Sequence, residues 1–188
     1  MAMPIPKSIG AMEFSSIGMG YLAEDEMLKA ASVELLIART ICSGKYLVVV
    51  GGSVSDVKAA LGAAAARAED SIIDQMVLAN AHEAIFPALG QSVVLADANP
   101  GALGVIETFS GTSVLAAADA AAKAANVTVF RIHVAMALGG KGLLLMTGSV
   151  ADVKAALQAG AAVVRERGLL VSAVVIPRPG RELFGEYL

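Results

Sequence analysis

Two stretches of this chain are nearly the same sequence. Gly52-Ser-Val-Ser-Asp-Val-Lys-Ala-Ala-Leu61 and Gly148-Ser-Val-Ala-Asp-Val-Lys-Ala-Ala-Leu157 agree at nine of ten positions, at an offset of 96. Nearer the N-terminus, Gly10-Ala-Met-Glu13 faces Gly104-Val-Ile-Glu107, and Asp25, Lys29, Ala30, Ala31 and Val33 face Asp119, Lys123, Ala124, Ala125 and Val127, at an offset of 94. Two residues have therefore been inserted between these blocks, in the turn before Gly44-Lys45 of one copy and Gly140-Lys141 of the other. Solenoid units are about 20 to 50 residues long and need at least three copies, so one large repeat is a duplicated domain. The expected domains are residues 1–92 and 102–188, with Asn99-Pro100-Gly101 as the turn signal between them.

Each copy reads as α/β, in the α+β sense. In the first, Ile9 to Ser15 is expected as a strand, Gly20 to Ala31 as a helix and Glu34 to Ile41 as a second strand. The turn Cys42-Ser43-Gly44 then reverses the chain into a β-branched run, Lys45 to Val50, bounded by Gly51-Gly52. Ser53 is placed to cap the next helix with Asp56 at its third position, and Val57, Ala60, Leu61 and Ala64 share one face. Ser149 and Asp152 repeat that arrangement. A strand near Gln75 to Leu78 and a short helix near His82 to Leu89 complete a ferredoxin-like βαββαβ unit.

Composition narrows the function. Hydrophobic residues are 56% of the chain and charged ones 16%, with a mean hydropathy of +0.70. So apolar a chain is expected to bury surface between subunits. No stretch reaches the roughly 20 uninterrupted apolar residues of a membrane span, because Asp119, Lys123, Asn126, Pro177 and Arg178 break the candidates. Residues 1–7 lack a signal-peptide core, so a cytoplasmic location is expected. At a net charge of −3 with dispersed Lys and Arg, no basic stripe favours nucleic acid. The single cysteine, Cys42, cannot form an internal disulfide and is either a small buried hydrophobe or a reactive or ligating thiol.

The segments Gly104-Val-Ile-Glu-Thr, Lys123-Ala-Ala-Asn-Val, Gly140-Lys141, Gly148-Ser-Val-Ala-Asp-Val and Val175-Ile-Pro-Arg-Pro179 resemble the bacterial microcompartment shell domain, in its tandem-domain form. The resemblance covers nearly the whole chain. It implies a homotrimer that forms a flat pseudohexameric tile and assembles with other microcompartment shell proteins in the bacterial cytoplasm. It also implies that Lys29, Lys123 and Arg178 sit at the edges where tiles meet, although Ala79-Asn80-Ala81-His82 replaces the Pro-Arg-Pro turn in the first copy. In this family the segment Thr40-Ile41-Cys42-Ser43-Gly44-Lys45 would be a pore loop at the symmetry axis. It resembles the turn of tandem members in which a cysteine holds an iron–sulfur cluster. One chain has one thiol, so the resemblance implies one 4Fe-4S cluster per trimer on the threefold axis, with Cys42 as its ligand and Ser43 and Gly44 beside it. Electron transfer across the shell, with an encapsulated or cytosolic redox enzyme as partner, would follow. Met136-Ala-Leu-Gly-Gly140 replaces the cysteine turn in the second copy and is expected to form no metal site. Two alternatives stay open: a tile whose pore conducts metabolites without a cluster, and a soluble sensor of small molecules built from paired ferredoxin-like domains.

Other signals carry less. Gly18-Met-Gly20-Tyr-Leu-Ala23 follows a strand and opens a helix like a dinucleotide-binding turn, but Thr112 and Val114 replace both glycines in the other copy. Glu13 and Glu107 are one residue seen twice, and suit an interface or a buried hydrogen bond better than acid–base catalysis. His82 and His133 stand apart from other ligand types and are expected to be structural. No catalytic constellation emerges, so the chain is not expected to be an enzyme.

Overall fold

A computed structural model describes residues 7–95, 101–134 and 138–185. In the first copy the elements are β1 (Ser8–Phe14), α1 (Ile17–Ala30), β2 (Glu34–Ile41), β3 (Lys45–Gly52), α2 (Val54–Ala68), β4 (Ile72–Leu78) and α3 (Ile85–Leu89). In the second they are β5 (Ala102–Thr108), α4 (Gly111–Ala124), β6 (Thr128–Val134), β7 (Gly142–Gly148), α5 (Val150–Glu166) and β8 (Leu170–Ile176), followed by a 3-10 turn at Arg181–Phe184. Each copy forms a four-stranded antiparallel sheet, in the orders β2-β3-β1-β4 and β6-β7-β5-β8. This is the ferredoxin-like βαββαβ topology expected from the sequence.

The duplicated motifs have physical work in both copies. Ser53 Oγ accepts from the Asp56 amide at 3.1 Å and Ser149 Oγ from the Asp152 amide at 3.1 Å, which caps α2 and α5. The glycine of each Gly-x-x-Glu strand lies under a helix: a Cβ on Gly10 would stand 2.6 Å from Leu61 and 2.7 Å from Val57, and one on Gly104 2.8 Å from Val153. Only glycine lets these helices lie so close to the sheet. In the first copy Met12, Phe14, Met27, Tyr46, Val48 and Val57 build the core between sheet and helices. In the second, Gly160 brings α5 onto α4, where a Cβ would meet the Ala117 carbonyl at 2.6 Å. Alanine supplies much of the remaining helical packing surface, including Ala117, Ala118 and Ala121.

The two-residue insertion falls where the sequence offsets place it. Thr40 pairs with Tyr46 and Val134 with Gly142, so the hairpin link spans five residues in the first copy and seven in the second.

Several boundaries differ from expectation. Helix α1 begins at Ile17 rather than Gly20, because Ser16 Oγ accepts from the Met19 amide. Strand β4 starts at Ile72, where it pairs with Phe14 past a bulge. Helix α3 starts only at Ile85, since His82 Nδ1 accepts from the Ala84 amide and the His82 carbonyl from Ile85.

By packing, the chain divides into Met1–Ala81 with Ala135–Gly140, and His82–Val134 with Lys141–Leu188. The sequence copies were bounded at 92 and 102, whereas the compact units part after Ala81. In the second unit the His82 amide donates to Asp119 at 2.8 Å, Arg131 donates to Gln91 at 2.6 Å, and α3 packs on β6.

Candidate functional site

The segment with the most chemical potential is the tip of the β2–β3 hairpin. Ile41 pairs with Lys45 across it, so only Cys42, Ser43 and Gly44 form the turn, as one 3-10 helical turn. Ile41 is buried and anchors the tip, Cys42 is half-buried, and Ser43 and Gly44 are exposed. Ser43 and Gly44 both have left-handed backbone, at φ values of 67° and 72°. Glycine takes that conformation freely, whereas serine bears a modest strain there. A Cβ on Gly44 would meet nothing within 4 Å, so its absence serves the backbone and leaves the tip clear for a close approach. Thr40 is exposed at the end of β2, and Lys45 is half-buried at the start of β3.

A thiol is a soft ligand suited to iron. Among the described residues no group of three or more His, Cys, Asp or Glu side chains could hold a metal ion within one chain. Within one chain Cys42 is the single thiol donor. Residues 135–137 of the second copy's turn lie outside the described residues; Gly139 and Gly140 of that turn have φ values of 65° and 86°.

The remaining candidates occupy equivalent places in their own units. Lys29 and Lys123 lie in the last turns of α1 and α4. Lys29 is exposed and pairs with Asp25, a hydrogen bond that raises its pKa above the usual lysine value. Lys123 pairs with Asp119 at 2.7 Å. Arg178 is exposed just beyond β8. Glu13 is fully buried. Glu107 accepts from Lys141 at 2.8 Å and Ser172 at 3.2 Å, and the Lys141 hydrogen bond holds its pKa below the ordinary carboxylate value.

The Gly18-Met-Gly20 signal has a packing explanation. A Cβ on Gly20 would stand 2.5 Å from the ring of Tyr46, which fills that space. Tyr46 donates to Glu24 at 2.7 Å and packs against Tyr21, with ring centroids 4.7 Å apart. Burial, and then the Glu24 hydrogen bond, push the Tyr46 pKa up. Sequence reasoning missed this cluster, whose one visible trace was the paired glycine.

Comparison with known proteins agrees with the geometry. The family model of the BMC domain matches twice, at residues 8–81 and 102–179. The bacterial microcompartment shell protein PduT of Citrobacter freundii is 40% identical over 178 residues, covering 95% of this chain and 96% of the relative. The shell protein EutM of Salmonella typhimurium is 44% identical over 82 residues, or 44% of this chain and 83% of that protein. In three dimensions, a microcompartments protein from Desulfitobacterium hafniense DCB superposes with a TM-score of 0.87 at 42% identity, over 94% of this chain and 97% of the other. A fused permuted hexameric shell protein from the RMM microcompartment shares the fold, with a TM-score of 0.65 at 23% identity, over 88% of this chain and 85% of that one. The chain belongs to the BMC domain family, and is a tandem-domain structural shell protein of a bacterial microcompartment rather than an enzyme.

Proposed function

We propose that this chain forms a homotrimeric tile whose Cys42 turns, one from each chain, together hold a single 4Fe-4S cluster on the threefold axis. The observation that carries this reading is the placement of the only cysteine at a half-buried hairpin tip, in the turn where the two copies differ in length. Three thiolates serve three of the four irons and leave the fourth for another ligand. The Ser43 amide, next to Cys42 in the turn, is the backbone donor nearest the thiol in the chain, and amide contacts to cluster sulfurs tune potential. Bound there, the group supplies one-electron transfer between the two faces of the shell, to an encapsulated or cytosolic redox enzyme. Lys29, Lys123 and Arg178, all on the surface, serve the tile edges that meet other shell proteins.

Anaerobic purification with iron and sulfide analysis, followed by EPR of the reduced protein, tests the reading. About four irons per three chains, and a reduced-state signal that Cys42→Ser abolishes, are expected. A trimer that stays iron-free after anaerobic reconstitution would sink the cluster and leave a metabolite-conducting pore.

A further inference from the structure

Helix α3 follows β4 in sequence, yet by packing it belongs to the second unit, where it lies on β6 and α4. That contact is satisfied on both sides. The His82 amide, just ahead of α3, donates to Asp119 Oδ1 of α4 at 2.8 Å, and Arg131 of β6 donates to Gln91 at 2.6 Å. Ile85 of α3 is 0% exposed and Val129 of β6 is 2% exposed.

Duplication supplies the same two surfaces a second time, and there both stand open. At the offset of 94, α1 and β2 correspond to α4 and β6. Asp25 and Asp119 each give Oδ2 to the lysine four residues on, but the Asp25 side chain is 54% exposed and that of Asp119 10%. Leu35, which matches Val129 at the same bulge, is 39% exposed. Leu28 is exposed where its match, Ala122, is buried. The tail is duplicated too. Leu78 and Ile176 pair with the matching residues Ile9 and Leu103, so beyond β4 and β8 the offset is 176 − 78 = 98. It aligns Gly180 with His82 and Leu183 with Ile85. Phe184 is buried against Phe130 and anchors the tail turn, while Leu183 is 52% exposed.

We propose that the tail after β8, through Leu183, docks on the α1–β2 surface of a second copy of this chain, as α3 docks on α4 and β6 within one chain. The Gly180 amide then donates to Asp25 of the second copy, and Leu183 covers Leu28 and Leu35. Tail and surface are different patches, so the contact is heterologous and repeats from chain to chain until the ring closes. The inference rests on the homotrimer of the reading above and is independent of its cluster.

The test is native mass spectrometry of the full chain as wild type, Leu35→Asp, Leu183→Asp, an equimolar mixture of those two variants, and Lys154→Gln, which makes the same change in net charge on an exposed site of α5. Leu35 and Leu183 are exposed in the single chain, so both variants should keep the wild-type circular dichroism spectrum; Leu28→Asp reads the same surface from α1 should Leu35→Asp unfold. Wild type and Lys154→Gln are expected as trimers, and each leucine variant alone as a monomer. The mixture should give dimers containing one chain of each kind, because one intact tail meets one intact surface and no ring can close. Leucine variants that stay trimeric, or a mixture that stays monomeric, overturn this inference alone. A monomeric wild type overturns the homotrimer as well, so the two failures are distinct.

Discussion

The ring of Tyr46 occupies the space over Gly20, and the second copy fills the equivalent slot the other way round. There Val114 stands at the helix position of Gly20, and Gly142 at the strand position of Tyr46; a Cβ on Gly142 would lie 2.6 Å from Val114. Leu115 and Ala118 replace Tyr21 and Glu24, and the Thr108 hydroxyl, 2.7 Å from that Cβ position, is the polar group that borders the second slot. A large side chain is thus provided once per copy, from opposite partners. Gly20→Val in the first copy is therefore expected to overpack the site, at a cost of about 1–3 kcal/mol in chemical denaturation. In the double variant with Tyr46→Gly, which recreates the second copy's pair, the loss should be smaller than the sum of the two single losses; a purely additive double mutant would contradict the packing account. Glu107 gives a second residue-scale expectation. Its folded-state pKa lies below the ordinary 4.5 because Lys141 donates to it. The stabilisation is therefore present above about pH 4.5 and lost as pH falls through the folded value. In Glu107→Gln the unfolding midpoint should fall less steeply with acidification below pH 4.5 than in wild type, and an unchanged slope would refute the assignment.

Helix caps behave as local units, which is why they were legible in the sequence. The Ser53 and Ser149 caps are closed by hydrogen bonds within four residues, and Ser53→Ala or Ser149→Ala is expected to cost about 1 kcal/mol each, measured by urea unfolding. Elements fixed by distant partners were less legible. The start of β4 depends on Phe14 pairing with Ile72 across a bulge, and the start of α1 was hidden because Gly18 and Gly20 suggested a turn. Gly20 is inside that helix to admit a ring from β3. At the candidate site, the cysteine and its glycine turn could be read from sequence because the copies diverge there. The surroundings of Lys45 could not, since Gly140 reaches it from far along the chain. The end of the first copy, likewise, could be placed by repeat but not by packing, because His82 and Gln91 bond to Asp119 and Arg131.

Across the whole molecule, the unusual apolarity follows from what the chain builds. Much of it is alanine, which with glycines such as Gly10, Gly104 and Gly160 makes close helix–helix and helix–sheet contacts. The rest includes large apolar side chains left on the surface, among them Tyr21, Ile73, Phe109 and Val174. In the proposed tile such side chains are buried between subunits. No described helix is long and apolar enough to cross a membrane. The claim that unites these observations is that three chains meet with their Cys42 turns at one centre. Native mass spectrometry of the anaerobically purified protein measures it most directly. The account predicts a species of three 19.0 kDa chains carrying the added mass of one 4Fe-4S cluster, and the bare trimer alone in Cys42→Ser. A wild-type protein that is monomeric, or trimeric with no added mass, would contradict it.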